Sequence, residues 1–177
     1  MDELYWEMFD GLSSLEHLSL EDNGIKDIPP FTFYGTPNIK SLSLSHNEIL
    51  DMSYRSLAGL LELQLLDLSH NNIGKLSEQT FPPFPKLEIV DLRQNPIKNL
   101  FPATFGVMNK TEVLYIGDET VQLELNAEKP FGDLNSLIYL EIPNLNVPVL
   151  NDNVFNSLQN LEILKIKGGN IPYIEFD

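Results

Sequence analysis

LQLLDLSHNNI, residues 63–73, restates IKSLSLSHNEI, residues 39–49, almost position for position. Both carry aliphatic residues at the first, fourth, sixth and eleventh places and Asn at the ninth. Working outward, the line returns as LEHLSLEDNGI from Leu15 and LEIVDLRQNPI from Leu87. It returns with more drift as TEVLYIGDETV from Thr111, LIYLEIPNLNV from Leu137 and LEILKIKGGNI from Leu161. The seven starts at 15, 39, 63, 87, 111, 137 and 161 are 24 residues apart, except for one step of 26. A fixed period of this size specifies a solenoid, and seven units exceed the roughly three that stability requires. Solenoids present a long surface to another macromolecule, so the period narrows function as well as fold.

Within one unit, LxxLxL alternates with period two and reads as a short strand. In the second repeat Leu42 and Leu44 point inward, and Ser41 and Ser43 outward. One unit cannot cover its own apolar face, so the strands stack into a parallel sheet at roughly 4.8 Å spacing. Asn23, Asn47, Asn71 and Asn95 recur where the chain leaves the sheet. Their amides suit a hydrogen-bonded ladder that satisfies buried backbone groups. In the second half of the unit a bulky column recurs as Phe9, Phe33, Leu57, Phe81, Phe105, Phe131 and Phe155, a continuous spine on the back. Pro29, Pro30, Pro82, Pro83, Pro85 and Pro102 also fall in this half and not in the strand cores. Proline donates nothing to a ladder, so the back is expected to be extended chain and short turns, not long helices.

The line LxxLxLxxNxIxxIxxxxFxxLxx resembles the typical animal subclass of leucine-rich repeats, and it covers nearly the whole chain. The resemblance implies an α/β right-handed solenoid with a concave parallel sheet and an irregular or 3-10 convex side. Residues 1–177 then form one array: a partial repeat over 1–14, repeats starting at 15, 39, 63, 87, 111, 137 and 161, and a truncated last repeat. The period and the Phe column are similar to extracellular Toll, Slit and chaoptin repeats, and closest in character to the long, cysteine-poor chaoptin arrays. They differ from the helix-rich ribonuclease-inhibitor kind, and the Gly-x-Ile-Pro signature of the plant subclass is missing.

Composition sets further bounds. The chain has 177 residues, no cysteine and no apolar run long enough to span a bilayer. Its start, MDELYWEMFD, has neither the basic nor the apolar region of a signal peptide. Ectodomains of the resembled families usually close both ends with cysteine-rich caps, whereas both ends here fall inside a repeat. The expectation is a fragment of a longer ectodomain, since solenoids need polar terminal caps. A net charge of −15, with 11 Lys and Arg against 26 Asp and Glu, argues against nucleic acid and anionic membrane as partners. It suits a basic protein surface, which it would attract faster.

The outward column Ser19, Ser43, Asp67, Asp91, Tyr115, Glu141, Lys165 lies beside His17, Ser41, Leu65, Ile89, Val113, Tyr139, Ile163. Together they place an acidic strip, Asp67 and Asp91, next to an aromatic pair, Tyr115 and Tyr139, with Glu141 alongside. Exposed aromatics beside charges are the usual anchors of a protein interface, so these five residues form the candidate protein-binding site. Asn109-Lys110-Thr111 is the one N-x-Ser/Thr sequon, making Asn109 a glycosylation candidate if the chain is secreted. His46 and His70 share a column one strand apart, but no third or fourth ligand accompanies them and no metal site is expected. Glu119, Leu145 and Gly169 replace the ladder Asn in the last three repeats. The ladder should therefore break after Asn95 or move to Asn146 and Asn170, and LELNAEKPF, residues 123–131, should bulge from the back. No phosphate loop, Cys nucleophile or cofactor motif is present. Ser69 and His70 face opposite sides of a strand, a poor geometry for a nucleophile and its base.

The expected function is therefore binding, with no catalytic residue, cofactor or metal. The first reading is a protein-binding segment of a cell-surface protein in cell adhesion or cell-cell recognition, on the extracellular side of the plasma membrane or secreted. Its partner would be a protein, homophilic or another cell-surface or secreted protein, with any membrane tether outside these residues. The alternatives are a Toll-like receptor ectodomain segment in ligand recognition and signalling, and an extracellular matrix scaffold. A cytosolic scaffold is suggested only by the missing cysteines.

Overall fold

The structure, a computed structural model, describes residues 3–101, 103–125, 129–147 and 152–171. One short strand forms at the predicted place in every repeat: β1 (His17–Ser19), β2 (Ser41–Ser43), β3 (Leu65–Asp67), β4 (Ile89–Arg93) and β5 (Val113–Gly117). A two-residue strand β6 (Leu123–Glu124) follows, then β7 (Tyr139–Pro143), β8 (Leu145–Asn146), the four-residue helix α1 (Asp152–Phe155) and β9 (Ile163–Lys167). The main sheet runs β1-β2-β3-β4-β5-β7-β9 and every pairing is parallel. Register carries each residue onto its counterpart one repeat later, so Leu18, Leu42, Leu66, Val90, Leu114, Leu140 and Leu164 stand in one row. From Leu42 to Leu140 this row is fully buried. A slip by one residue would turn it to solvent, which is what pins the register.

The expected solenoid is therefore present, with almost no helix. Behind the sheet the bulky column packs as a spine. Phe9 stacks on Phe33 at 5.8 Å between ring centres, Phe105 on Phe131 at 6.3 Å and Phe131 on Phe155 at 6.0 Å. Leu57 and Phe81, between them, are buried. The back is built of turns closed by i to i+3 bonds, such as the Thr36 N–H to the Phe33 carbonyl and the Thr111 N–H to the Met108 carbonyl. Among the described residues no helix is long and apolar enough to cross a membrane.

The Asn ladder is present for three repeats. The Asn71 amide donates to the carbonyls of Leu44, Leu68 and Ser69 at 2.9, 3.1 and 3.2 Å, and its oxygen accepts the Ile49 N–H at 3.0 Å. Asn47 and Asn95 repeat this set one turn to either side. Asn23 donates to the carbonyls of its own repeat, Leu20 and Glu21. The chain leaves β1, β2, β3, β4 and β7 through a left-handed residue: Asp22, His46, His70, Gln94 and Asn144 all have φ between 53 and 56°. Polar residues with short or planar side chains tolerate this region best.

After Asn95 the ladder does break, and main chain takes over instead of displaced amides. β6 pairs with β8, Asn99 bridges to Glu124, and Asn146 bridges to Asn170. The Glu124 N–H bonds to the Lys98 carbonyl at 2.7 Å and the Asn170 N–H to the Leu145 carbonyl at 2.9 Å. Asn146 and Asn170 are thus members of a backbone ladder. Gly169, at the former Asn position, has φ +87°, and a Cβ there would collide with the Leu145 carbonyl. Of the predicted bulge, residues 126–128 lie outside the described residues, and Leu123–Glu124 is strand. Proline also reaches the sheet at one point: Pro143 closes β7. It fits because Gly117 beside it, at φ +125°, has no Cβ to meet the Pro143 carbonyl at 2.8 Å.

Candidate functional site

Strands β4, β5 and β7 bring four of the five predicted binding residues together. Asp91 pairs in register with Tyr115, Tyr115 with Glu141, and Glu141 with Lys165. Tyr139 occupies the neighbouring column, and its ring lies 5.3 Å from that of Tyr115 at a 53° tilt. The Tyr139 hydroxyl donates to Glu141 Oε2 at 2.6 Å. Asp67 stands beside Asp91, two strands away from Tyr115, and its Oδ1 accepts the Ser69 N–H at 2.9 Å. Its carboxylate closes the turn after β3, as that of Asp91 does by accepting the Arg93 N–H at 3.0 Å, but it stands one strand further from the rings. Ser43, in the same column, is covered, with its hydroxyl 3.2 Å from that of Ser45.

Two cations complete the cluster. Arg93 Nε lies 3.0 and 3.1 Å from the two Asp91 oxygens, and Nη2 lies 2.5 Å from Oδ2. The guanidinium sits over the Tyr115 ring with Cζ 4.4 Å from its centre. Asp91 is the main reason the Arg93 pKa is raised, with smaller support from Glu141 and Tyr115 against the cost of burial. Lys165 Nζ lies 5.1 Å from the centre of the Tyr139 ring. The Tyr139 hydroxyl is the main cause of its raised pKa, with Glu141 adding attraction. The result is an alternating series of anion, cation and ring, with both tyrosines half-buried and their positions set by neighbours. Pre-positioned aromatic side chains of this kind lose little freedom on binding, which suits them as interface anchors.

Arg93 and Lys165 were not among the predicted site residues. The signal was there for both: Arg93 is two residues after Asp91 on one strand and so shares its face, and Lys165 continues the column of Tyr115 and Glu141. Below the cluster, at the ends of the strands, is a groove of about 350 Å³ lined by His70, Arg93, Glu119, Glu141 and Lys167 among others. Lys167 meets Glu119 across it at 3.6 Å. Asp118, close by, is buried. Burial alone would raise its pKa, but the Thr120 hydroxyl and the N–H groups of Thr120 and Val121 donate to it at 2.6 to 2.7 Å. With His70 adding attraction, these hold it below its ordinary value.

His46 and His70 stack with ring centres 4.1 Å apart and planes 10° apart. Among the described residues no group of three or more His, Cys, Asp or Glu has metal-binding geometry. Asn109 is exposed in the turn before β5, and its carbonyl accepts the Ser136 hydroxyl at 2.9 Å. Thr111 is buried and donates to the Leu87 carbonyl at 3.2 Å. The fold therefore accounts for a hydroxyl at this aliphatic position whether or not the sequon is used.

Comparison with known proteins places this geometry. The family model described as leucine rich repeat matches residues 13–73 and 62–121. No curated protein matches. Among solved structures, the TLR13–ssRNA13 complex aligns with a TM-score of 0.81 and 23% identity over 90% of this chain and 22% of the other. The glycosylated Toll–Spatzle complex of Drosophila aligns at 0.83 and 19% identity over 96% and 22%. Internalin C2 of Listeria monocytogenes aligns at 0.68 and 22% identity over 90% and 65%. The chain thus spans about a fifth of the length of the two Toll-type chains, and identities this low establish a shared fold.

Proposed function

This chain belongs to the leucine-rich repeat family, and from that premise we propose that it is a protein-binding segment of a cell-surface or secreted protein acting in cell adhesion or cell-cell recognition. Its partner docks on the outer face of the sheet, centred on Tyr115 and Tyr139. The observation that carries this reading is the cluster in which Arg93 and Lys165 cover the two rings while Asp91 holds Arg93 and Glu141 holds the Tyr139 hydroxyl. Such a group supplies large apolar area and directed polar contacts without further ordering. The charge of −15 favours a protein over a polyanion. Asn109, exposed in the turn before β5, carries a glycan in this reading, on an extracellular protein whose tether lies outside these residues.

A second reading, a segment of a Toll-like receptor ectodomain, draws support from the likeness of fold to TLR13 and Toll at TM-scores of 0.81 and 0.83. A cell-aggregation assay separates the two. The full-length protein is displayed on non-adhesive cells, alongside a Tyr115→Ala, Tyr139→Ala variant. Clumping of expressing cells with each other, lost in the variant, is the outcome expected for homophilic adhesion. Surface display without clumping would remove homophilic adhesion and move the weight to a receptor with a separate ligand.

A further inference from the structure

Alongside the tyrosine cluster the sheet carries a continuous apolar stripe. Leu65, Ile89, Val113, Tyr139 and Ile163 are register partners on β3, β4, β5, β7 and β9. At roughly 4.8 Å per strand the stripe is about 19 Å long. The first four are half-buried and Ile163 is exposed, on the face opposite the core. An apolar stripe rimmed by polar residues is the usual mark of a docking surface.

The rim supplies the chemistry of the occupant. At the starts of the strands, the Glu112 N–H bonds to the Glu88 carbonyl, the Ile138 N–H to the Glu112 carbonyl and the Glu162 N–H to the Ile138 carbonyl, at 2.8 to 2.9 Å. Glu88, Glu112 and Glu162 thus form one row, all exposed. In the first two repeats the same row is self-neutralising, because Glu16 meets Lys40 at 2.9 Å. In the later repeats it is not: among the described residues none of the three carboxylates takes part in an ion pair. Like charges on neighbouring strands, as at Glu88 and Glu112, destabilise a sheet, so the fold itself gains nothing from them.

Spacing selects the form of the partner. An α-helix repeats its face every ~5.4 Å, close to the strand spacing of the stripe. An extended chain laid across the strands repeats its face only every ~6.6 Å and falls out of step. We propose that this face takes a basic amphipathic helix of a partner protein, lying across β4 to β9. Its apolar side chains cover Ile89, Val113, Tyr139 and Ile163, and Lys or Arg along one edge meet Glu88, Glu112 and Glu162. The inference rests on the reading of the sheet face as the docking site and adds the class of partner.

The test uses two synthetic helical peptides of about 14 residues, enough to cover the stripe at ~1.5 Å per residue. One has Leu and Lys at helical spacing, the other Leu and Glu, and each is titrated calorimetrically into the full chain. The Leu/Lys peptide is expected to bind saturably and to lose about tenfold in affinity with Glu88→Gln, Glu112→Gln and Glu162→Gln combined. Glu7→Gln, Asp27→Asn and Glu78→Gln, which remove as many charges outside the sheet, are expected to change it less than about twofold. Equal losses from both triple variants, or no saturable binding, would overturn the proposal. Preferential binding of the Leu/Glu peptide that needs Tyr115 and Tyr139 would keep the docking face and reject the basic partner. Binding of both peptides unaffected by Tyr115→Ala with Tyr139→Ala would reject the docking face itself.

Discussion

The guanidinium of Arg93 lies 4.4 Å over the ring of Tyr115 on the adjacent strand while holding both carboxylate oxygens of Asp91 on its own. One planar group thus fixes an anion and an aromatic anchor, and a lysine has no equivalent geometry. Arg93→Lys is expected to keep global stability within about 0.5 kcal/mol, as for most surface changes. It should also release the Tyr115 ring and weaken partner binding several-fold. Ring-proton shifts of Tyr115 by NMR check the first effect. Unchanged shifts would show that Arg93 does not position the ring.

The ladder predicts a larger loss from a smaller change. Asn71→Ala strips a buried acceptor from the Ile49 N–H and a shared donor from three carbonyls. The expected cost is roughly 3 kcal/mol, because buried groups left without partners lose about 1–3 kcal/mol each where water cannot replace the bond. Asn71→Asp should be no better, since a carboxylate cannot donate to those carbonyls. Denaturant melts give the figure, and a loss below about 1 kcal/mol would contradict the ladder's role.

Asp118 makes a pH prediction with a definite sign. Its carboxyl is held below its ordinary value of 3.8, so the turn it closes gains stability that is fully present above that value. The gain is lost only as pH falls through the lower folded value. A carbon-detected titration should place the Asp118 midpoint below 3.8, and Asp118→Asn should expose the Thr120 and Val121 amides to faster exchange at neutral pH. A midpoint at or above the ordinary value would show that burial outweighs the three hydrogen bonds.

The exposure of Asn109 gives a direct chemical check. Protein secreted from animal cells should lose mass on treatment with an N-glycosidase, and Asn109→Gln should abolish that shift. Thr111→Val separates the sequon from the fold, because it removes both the glycan signal and the hydroxyl donated to the Leu87 carbonyl. It should therefore also lower the melting temperature, while Asn109→Gln should not.

The stacked imidazoles of His46 and His70 are expected to bind zinc no more tightly than an ordinary surface pair. Two nitrogens do not make the tetrahedral set that a structural site requires. Calorimetric binding in the micromolar range would reverse that expectation.

Strand positions, the first ladder and the aromatic spine were legible because each is written as one residue type returning at a fixed step. Leu42, Asn71 and Phe33 can be placed from spacing alone. The departures were visible only as absences. Glu119, Leu145 and Gly169 showed that the ladder stopped, but nothing at Leu123–Glu124 or Leu145–Asn146 marks a pair of two-residue strands. Backbone pairing has no side-chain signature of its own. The candidate cluster was half legible: Tyr115, Tyr139, Asp91 and Glu141 follow from the outward columns. Arg93 is hard to read from sequence because its column, Glu21, Ser45, Ser69, Arg93, Gly117, Pro143 and Lys167, varies from repeat to repeat. Asp67 and Asp91 share a column and each accepts the N–H two residues on, but only Asp91 has an arginine there to carry it to a ring.

The change of ladder after Asn95 divides the array by how it withstands genetic change. In the early repeats, cohesion at the turn is encoded in one side chain, so a single codon can remove it and the site tolerates almost no substitution. From β6 onward the same cohesion is carried by peptide groups that every residue except proline supplies, so side chains there are held less strictly, Gly169 excepted. Side-chain changes at these turns should therefore cost less in the later repeats, the part of the sheet that also displays Tyr115, Tyr139 and their charged neighbours.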